Sequence, residues 1–284
     1  MSSPKDPENT VAFAGIEGAN ADLACREKHP YMETLAVPEF EDVFDAVEQG
    51  IAKYGMIPIE NSQAGRVAEI HNLLPNTKLH IIDEYYLKIE HHLFGLKGAK
   101  LEDLKTVHSH PQALMQCRGT IRKLGLTAVM HPDTAMAGRD VAAWNDASKG
   151  AICSELAGAL YGLEPLRKHM QDDNRNRTLF ITLAAEPLDI EPDDGQVLTS
   201  LLFTVRSIPS SLYKCLGGFA TNGVNIIKLE SYIGEGMDKS AQFFITFEGH
   251  PRSRPVQLAL EELGFFSQRT KVLGVYLADP KRYS

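Results

Sequence analysis

The chain is poor in the features that mark a specialised environment. Its 284 residues hold four cysteines, and Cys25, Cys117, Cys153 and Cys215 are scattered through apolar contexts without a C-x-x-C pair. That spacing speaks against a disulfide framework or a thiolate metal site and fits reduced core thiols. No stretch approaches the roughly 18 consecutive apolar residues needed to cross a bilayer. The opening "MSSPKDPENTVAFAG" has no apolar core behind a basic start. A cytoplasmic protein with no membrane partner is expected. Positive charge is also in short supply: 29 Lys and Arg face 37 Asp and Glu, a formal charge of -8, and no polybasic block stands out. Nucleic acid is therefore not an expected partner, and any anionic ligand must be held by local groups. Glu90, His91 and His92 are adjacent but point in different directions, and no second ligand pair follows them. No metal is expected, and these histidines read as solvated or core-edge residues.

What the chain has is a core and a rhythm. With 43% hydrophobic and 23% charged residues it can bury more than one domain. Over the first 185 residues the apolar period switches between two and 3.6. Strand-like "TVAFAG", "METLAVP", "YGMIPIE", "KTVHSH", "TAVMHP" and "GAICS" alternate with helical "ADLACREK", "FEDVFDAVEQG", "RVAEIHNLL", "PQALMQCRGTIRKLG", "TAMAGRDVAAW" and "ELAGALYG", and "KLHIIDEYYLKIEHHLFG" reads as a pair of strands. This is an α/β order that implies a mostly parallel sheet. After the strand "TLFITL" comes "AAEPLDIEPDDGQ", acidic, proline-containing and aperiodic, which reads as a linker. Then "VLTSLLFTVR", "SSLYKCLGGFATNG", "NIIKLESYI", the turn "GEGMDKS", "AQFFITFEG", "RPVQLALEELGFF" and "KVLGVYL" give βαββαβ, the ferredoxin-like order. Such a small module often pairs a sheet edge with another copy, so a homo-oligomer is expected.

Small polar and glycine residues gather where strands run into helices: "GIEGANAD", "ENSQAG", "HSHPQ" and "HPDTAMAG". In open α/β sheets, ligands bind outside the carboxyl ends of strands, where helix N-termini offer free N–H groups to anions. Taken singly, Ser62, Ser109 and Thr134 are good caps, Pro111 suits a first turn, and Gly15, Gly18 and Gly65 permit tight turns. Recurrence at four junctions points instead to a small anionic ligand. No dinucleotide fingerprint, P-loop lysine, G-x-S-x-G elbow or H-E-x-x-H is present.

The ordered set "GIEGAN", "IPIENSQAGRV", "VHSHPQALMQC", "DTAMAG", "GAICSELAGALYGL" and "DDNRNRTLF", followed by the βαββαβ module, resembles bacterial prephenate dehydratase with a C-terminal ACT domain. The resemblance spans nearly the whole chain. It implies a catalytic region over residues 9–185, built of two lobes like those of periplasmic binding proteins, the second roughly 90–165. A linker over 186–197 and an ACT regulatory domain over 198–278 follow. The implied reaction removes the C4 hydroxyl and C1 carboxylate of prephenate to give phenylpyruvate, with no organic cofactor or metal. Arogenate dehydratase shares the motifs, and a catalytically weakened amino-acid sensor on the same fold is the alternative of another class.

By the same resemblance Thr178 donates to the leaving C4 oxygen, while Asn61, Ser62 and the backbone near Gly65 hold the substrate's carboxylates. Ser109, Gln112, Thr134 and Ala135 line the opposing lobe, and Arg177 and Phe180 flank Thr178. Phenylalanine is the implied effector, at Ser211, Leu212, Asn225, Glu230 and Ser231 of a homodimer or homotetramer. Two departures stand out. The family's Thr-Arg-Phe reads Thr178-Leu179-Phe180 here, and Arg177, two residues earlier on the same strand face, is expected to substitute for the missing guanidinium. The effector motifs are represented by Ser210, Ser211 and Leu212 and by Glu230, Ser231, Tyr232 and Ile233, so two contact residues differ.

Overall fold

A computed structural model of the chain describes residues 6–233 and 241–283. The turn expected over 234–240 and the side chains of Tyr232 and Ile233 lie outside the described residues. Among the described residues no helix is long and apolar enough to cross a membrane.

The architecture is α/β, with three sheets among the described residues. The chain opens with β1 (Thr10–Ala14), α1 (Asn20–Lys28), β2 (Glu33–Val37), α2 (Phe40–Glu48), β3 (Tyr54–Asn61), β4 (Gly65–Arg66), α3 (Ala68–Leu73) and β5 (His80–Lys88). It continues through β6 (His92–Gly95), β7 (Thr106–Ser109), α4 (Pro111–Gln116), α5 (Arg118–Lys123), β8 (Thr127–Met130), α6 (Thr134–Trp144), β9 (Lys149–Cys153), α7 (Glu155–Leu160), β10 (Glu164–Arg167) and β11 (Arg177–Ala184). The first sheet runs β2-β1-β3-β11-β5 with β4 on β3, and the second β10-β6-β9-β7-β8. β11 thus returns to the first sheet after the chain has built the second. It sits between two strands, and its residues after Arg177 are all buried, as a near-continuous apolar run requires.

Two expectations are corrected here. The second sheet is parallel at β7, β8 and β9, but β6 and β10 join antiparallel. β10, "EPLR", was not legible as a strand because it is four residues long and carries a proline and two charges; an edge position tolerates all three. The helix expected over 111–125 is two helices, broken at Cys117 (φ -104°, ψ 6°). The break frees backbone donors at the start of α5. Gly119 N and Thr120 N donate to the Asp172 carboxylate at 2.7 and 3.0 Å, and Thr120 Oγ1 donates at 3.1 Å. A continuous helix would commit those N–H groups to its own carbonyls. A Cβ at Gly119 would stand 2.9 Å from Asp172 Oδ1, so glycine admits the close approach.

The motifs "GIEGAN" and "SELAGALYGL" meet each other. Gly18 (φ +88°) could not carry a Cβ, which would lie 2.9 Å from Ala157 Cα. Ser154 Oγ donates to Gly18 O at 2.8 Å and Tyr161 Oη to Glu17 O at 2.7 Å. Buried Asp22 accepts from Gly18 N at 2.8 Å.

The last part of the chain is β12 (Val197–Val205), α8 (Ser211–Thr221), β13 (Ile226–Ile233), β14 (Ala241–Glu248), α9 (Arg254–Phe266) and β15 (Ser267–Leu277), with strand order β13-β14-β12-β15 and antiparallel pairing. Just beyond α8 and its cap Asn222, Gly223 at φ +69° lets the chain reverse. Both helices lie on one core containing Phe203, Phe219, Phe243 and Phe247, and Phe203 and Phe243 stack at 5.2 Å.

The chain divides into two contact-dense units. One comprises Met1–Val43, Met56–Arg66 and Tyr86–Phe180, the other Phe44–Gly55, Val67–Tyr85 and Ile181–Ser284. Within the second, a Cβ at Gly274 would fall 1.9 Å from Ile81 O, so β15 lies directly on β5. Lys271 Nζ donates to the carbonyls of Leu74, Pro75 and Thr77 just beyond α3.

Candidate active site

Sheet order puts the end of β3 beside the start of β11, although 115 residues separate Asn61 from Asn176. Asn61 organises the junction with its own carboxamide. Its Oδ1 accepts from Gln63 N at 3.0 Å and Ala64 N at 2.9 Å, closing the turn that β4 completes. Gly65, at φ +81°, lets β4 fold back so that it pairs with Asn61. Asn61 Nδ2 donates to Asn176 Oδ1 at 2.8 Å and to Thr178 Oγ1 at 2.9 Å. Ser62 adds a second clasp. Its N–H donates to Arg177 O at 2.9 Å, and its Oγ accepts from Arg177 N at 3.0 Å.

Asn61, Ser62, Gly65, Arg177 and Thr178 are therefore one constellation. Thr178 is 8% exposed and Phe180, on the same strand face, is buried. Arg177 is exposed, with its guanidinium carbon 5.2 Å from the Tyr86 ring centroid, while Leu179 is buried. Arg175 pairs with Asp173 at 2.8 Å, and its hydrogen bonds hold the Asp173 carboxyl down at about 2.

The residues of the second sheet sit at the carboxyl ends of β7 and β8. Ser109 is fully buried and its hydroxyl donates to Ile152 O at 2.6 Å. His110 caps α4, its Nδ1 accepting from Gln112 N at 3.3 Å. Thr134 opens α6, where Asp133 accepts from Ala135 N and Met136 N at 2.7 and 3.0 Å; Ala135 itself is buried. α4 links the two groups. Gln112 and Gln116 lie one turn apart on the same helix face, and Gln116 Oε1 accepts from Asn176 Nδ2 at 2.9 Å.

The sequence reading missed the residues behind Thr178. Gln116 Oε1 also meets His91 Nε2 at 2.8 Å, and the backbone of His91 is fixed by Gln171 Oε1 on its N–H (3.1 Å) and Met170 N on its carbonyl (2.7 Å). Burial lowers the His91 pKa. The only early signal was an unusual density of carboxamides near one strand in "QDDNRNRT" and "MQC", whose partners lie too far apart in sequence to be paired by eye.

In the last module Ser211 opens α8 after Ser210 in left-handed conformation (φ +60°), and Leu212 packs on the core. Asn225 O accepts from Glu248 N at 2.9 Å, Glu230 pairs with Lys228 at 3.2 Å, and exposed Ser231 lies opposite Phe243.

An α/β protein that collects hydroxyls and carboxamides at strand ends belongs to the class that binds small polar ligands there. The sequence matches the prephenate dehydratase family over residues 11–188. The chain belongs to that family. A relative from Komagataeibacter europaeus, named as a bifunctional N-acyl-homoserine lactone acylase/prephenate dehydratase, is 44% identical, covering 97% of this chain and 98% of that one. Arogenate dehydratase/prephenate dehydratase 1 of Arabidopsis thaliana, a chloroplastic protein, is 35% identical over 96% of this chain and 73% of its own length. The solved prephenate dehydratase of Arthrobacter aurescens in complex with L-Phe is 26% identical, with a TM-score of 0.85, covering 94% of this chain and 89% of that one.

Proposed function

We propose that the chain is a prephenate dehydratase, acting through residues 9–185 and regulated by phenylalanine through an ACT domain over 198–278, with 186–197 between them. The observation that carries this reading is the direction of one bond. Thr178 Oγ1 accepts from Asn61 Nδ2, so the threonine's own hydrogen is directed elsewhere, available to an oxygen outside the strand. As the bond between C1 and its carboxylate breaks, the electron pair moves through the ring and expels the C4 oxygen. That oxygen leaves as hydroxide stabilised by Thr178 and takes up a proton from solvent, giving water, carbon dioxide and phenylpyruvate. Aromatisation supplies the driving force, so neutral donors aimed at developing charge suffice.

Ser62, the backbone at Gly65 and Arg177 serve the substrate's carboxylates, with Phe180 behind Thr178; Asn61, whose amide hydrogens are committed to Asn176 and Thr178, serves by holding Thr178. Gln112, Thr134 and Ala135 serve the opposing wall, where Ser109 is structural because its hydroxyl is committed to Ile152 O. Ser211, Leu212, Asn225, Glu230 and Ser231 serve the effector, a reading supported by the A. aurescens relative solved with L-Phe. The test mixes purified protein with prephenate and follows phenylpyruvate absorbance in base, with and without phenylalanine. Arogenate is assayed in parallel because of the plant relatives. Absence of turnover on both substrates refutes the reading.

The full-length likeness to the K. europaeus protein favours a second reading, an added N-acyl-homoserine lactone acylase activity. Burial pushes the Cys117 and Cys153 thiols up to about 12, so the nucleophile would be a hydroxyl or water and not a thiolate. Release of homoserine lactone from an N-acyl substrate, followed by mass spectrometry, tests it.

A further inference from the structure

A line of carboxamides leads away from Thr178, and hydrogen-bond polarity fixes every group along it. The anchor is the pair of backbone N–H groups of Gln63 and Ala64. They can only donate, so the Asn61 atom facing them is Oδ1, and Nδ2 must face the other way. Nδ2 can only donate. The Asn176 atom 2.8 Å from it is therefore oxygen, which turns Asn176 Nδ2 towards Gln116. The Gln116 atom that receives it at 2.9 Å is then Oε1, a carbonyl oxygen that cannot donate. His91 Nε2, 2.8 Å from that same oxygen, must carry a hydrogen. Two backbone amides in the "ENSQAG" turn thus dictate the tautomer of a histidine in another segment, and the second hydrogen of Asn61 Nδ2 is shared between Thr178 Oγ1 at 2.9 Å and, more weakly, Arg177 O at 3.3 Å.

The chain also reads in reverse. We propose that His91 is a positioning residue for Thr178: its Nε2–H orients Gln116, Gln116 orients Asn176, Asn176 Oδ1 holds the Asn61 amide in line, and Asn61, so placed, turns the Thr178 hydroxyl hydrogen outward. The proposal rests on the reading of Thr178 as the donor to the leaving oxygen. His91 touches no reacting atom, and it suits the end of such a line. Its ring is buried, its backbone is held on both sides by residues 170 and 171, and burial favours the neutral form, which has one ring N–H to place. Without that N–H, Gln116 loses the partner that distinguishes its two ends. Once the carboxamide rotates, Asn176 can follow and turn its Nδ2 towards Asn61; Asn61, held in its orientation by Gln63 N and Ala64 N, then faces a donor instead of an acceptor and is pushed out of line with Thr178 Oγ1.

The geometry separates substitutes for histidine. A glutamine at 91 can bring an amide N–H to about the place of Nε2, whereas asparagine is shorter and mimics Nδ1, and leucine fills space without a donor. In the full chain assayed with prephenate, His91→Leu is expected to lower kcat on the order of 10- to 100-fold with KM changed less than about threefold, the scale of a misaligned reacting group. His91→Gln should restore most of that loss, and His91→Asn should not. Equal losses in His91→Gln and His91→Leu, or a kcat unchanged in His91→Leu, would overturn the proposal. Should His91→Leu fail to fold, the contrast between His91→Gln and His91→Asn decides alone. A second measurement does not depend on turnover. Long-range 15N–1H spectra of the 15N-labelled parent, with the His91 signals assigned by their loss in His91→Gln, should show the Nε2–H tautomer. An Nδ1–H tautomer refutes the relay even in an active enzyme, whereas an Nε2–H tautomer in a protein inert towards prephenate would leave the relay standing and refute the function.

Discussion

The guanidinium carbon of Arg177 lies 5.2 Å from the centroid of the Tyr86 ring, which places a positive charge at the mouth of β11 and braces that strand against β5. Leu179, two residues on, is buried. Arg177 is the proposed source of the positive charge that the family resemblance leads one to expect at 179. Because Arg177 is proposed to act on the substrate's charge and not on the leaving oxygen, Arg177→Ala should raise KM for prephenate about tenfold or more with kcat within about threefold, the scale of one charge-assisted hydrogen bond. Arg177→Lys should recover part of it. Adding Leu179→Arg to Arg177→Ala should not restore KM and should lower the melting temperature, since it puts a guanidinium where a buried leucine packs. Steady-state kinetics and thermal melts on the three variants check this.

Thr178→Ala removes the donor together with only a small buried volume, one methyl and the hydroxyl. A loss of about 10²- to 10³-fold in kcat is expected with little change in melting temperature, while Thr178→Ser, which keeps the hydroxyl, should remain within about tenfold. A kcat within fivefold of the parent in Thr178→Ala would remove Thr178 from its role.

The order of elements was readable because period, turn chemistry and caps are local. The candidate set Asn61, Ser62 and Thr178 came from the resemblance of their short motifs to a known family. What could not be read depends on sheet order. β11 inserts between β3 and β5 after an excursion through a second sheet, and only that insertion brings Asn176 to Asn61. The helix break at Cys117 was hidden for a similar reason: the carboxylate that claims the N–H groups of Gly119 and Thr120 belongs to Asp172, more than 50 residues later. His91 looked like a core-edge residue because its partner, Gln116, lies on a helix 25 residues away.

Burial lowers the pKa of His91, His92 and His108 below the unreacted value of 6.5. In the unfolded chain each takes up a proton near pH 6.5, whereas in the folded chain each stays neutral to lower pH. The unfolded state then binds more protons, so stability is complete above about pH 6.5 and falls as pH drops towards the lowered folded values. The slope approaches at most about 1.4 kcal/mol per pH unit for each histidine. Urea midpoints measured from pH 7.5 to 5 should decline, and less steeply in His91→Gln. An unchanged slope in that variant would show that His91 does not stay neutral on folding.

A short ion pair joins Glu84 on β5 to Arg282 beyond β15. Glu84 is fully buried, with Arg282 Nη2 2.5 Å from Oε2, Arg282 Nε 2.7 Å from Oε1 and Asp279 N donating to Oε1 at 3.1 Å. The two donors form a fork on one carboxylate, a geometry that fixes both direction and register. A buried pair of this kind contributes less by its attraction than it costs when halved, because the surviving charge has no water to return to. Arg282→Ala should therefore destabilise by about 3–5 kcal/mol, leaving Glu84 with one backbone donor for its charge. Replacing both by apolar residues of similar length, Glu84→Leu with Arg282→Met, should cost clearly less than the sum of the single changes, since no buried charge is left unpaired. Denaturant unfolding of the four proteins gives the coupling directly. Additive losses would mean that Glu84 reaches water once Arg282 is gone, and that the C-terminal turn is held by its packing and not by this pair.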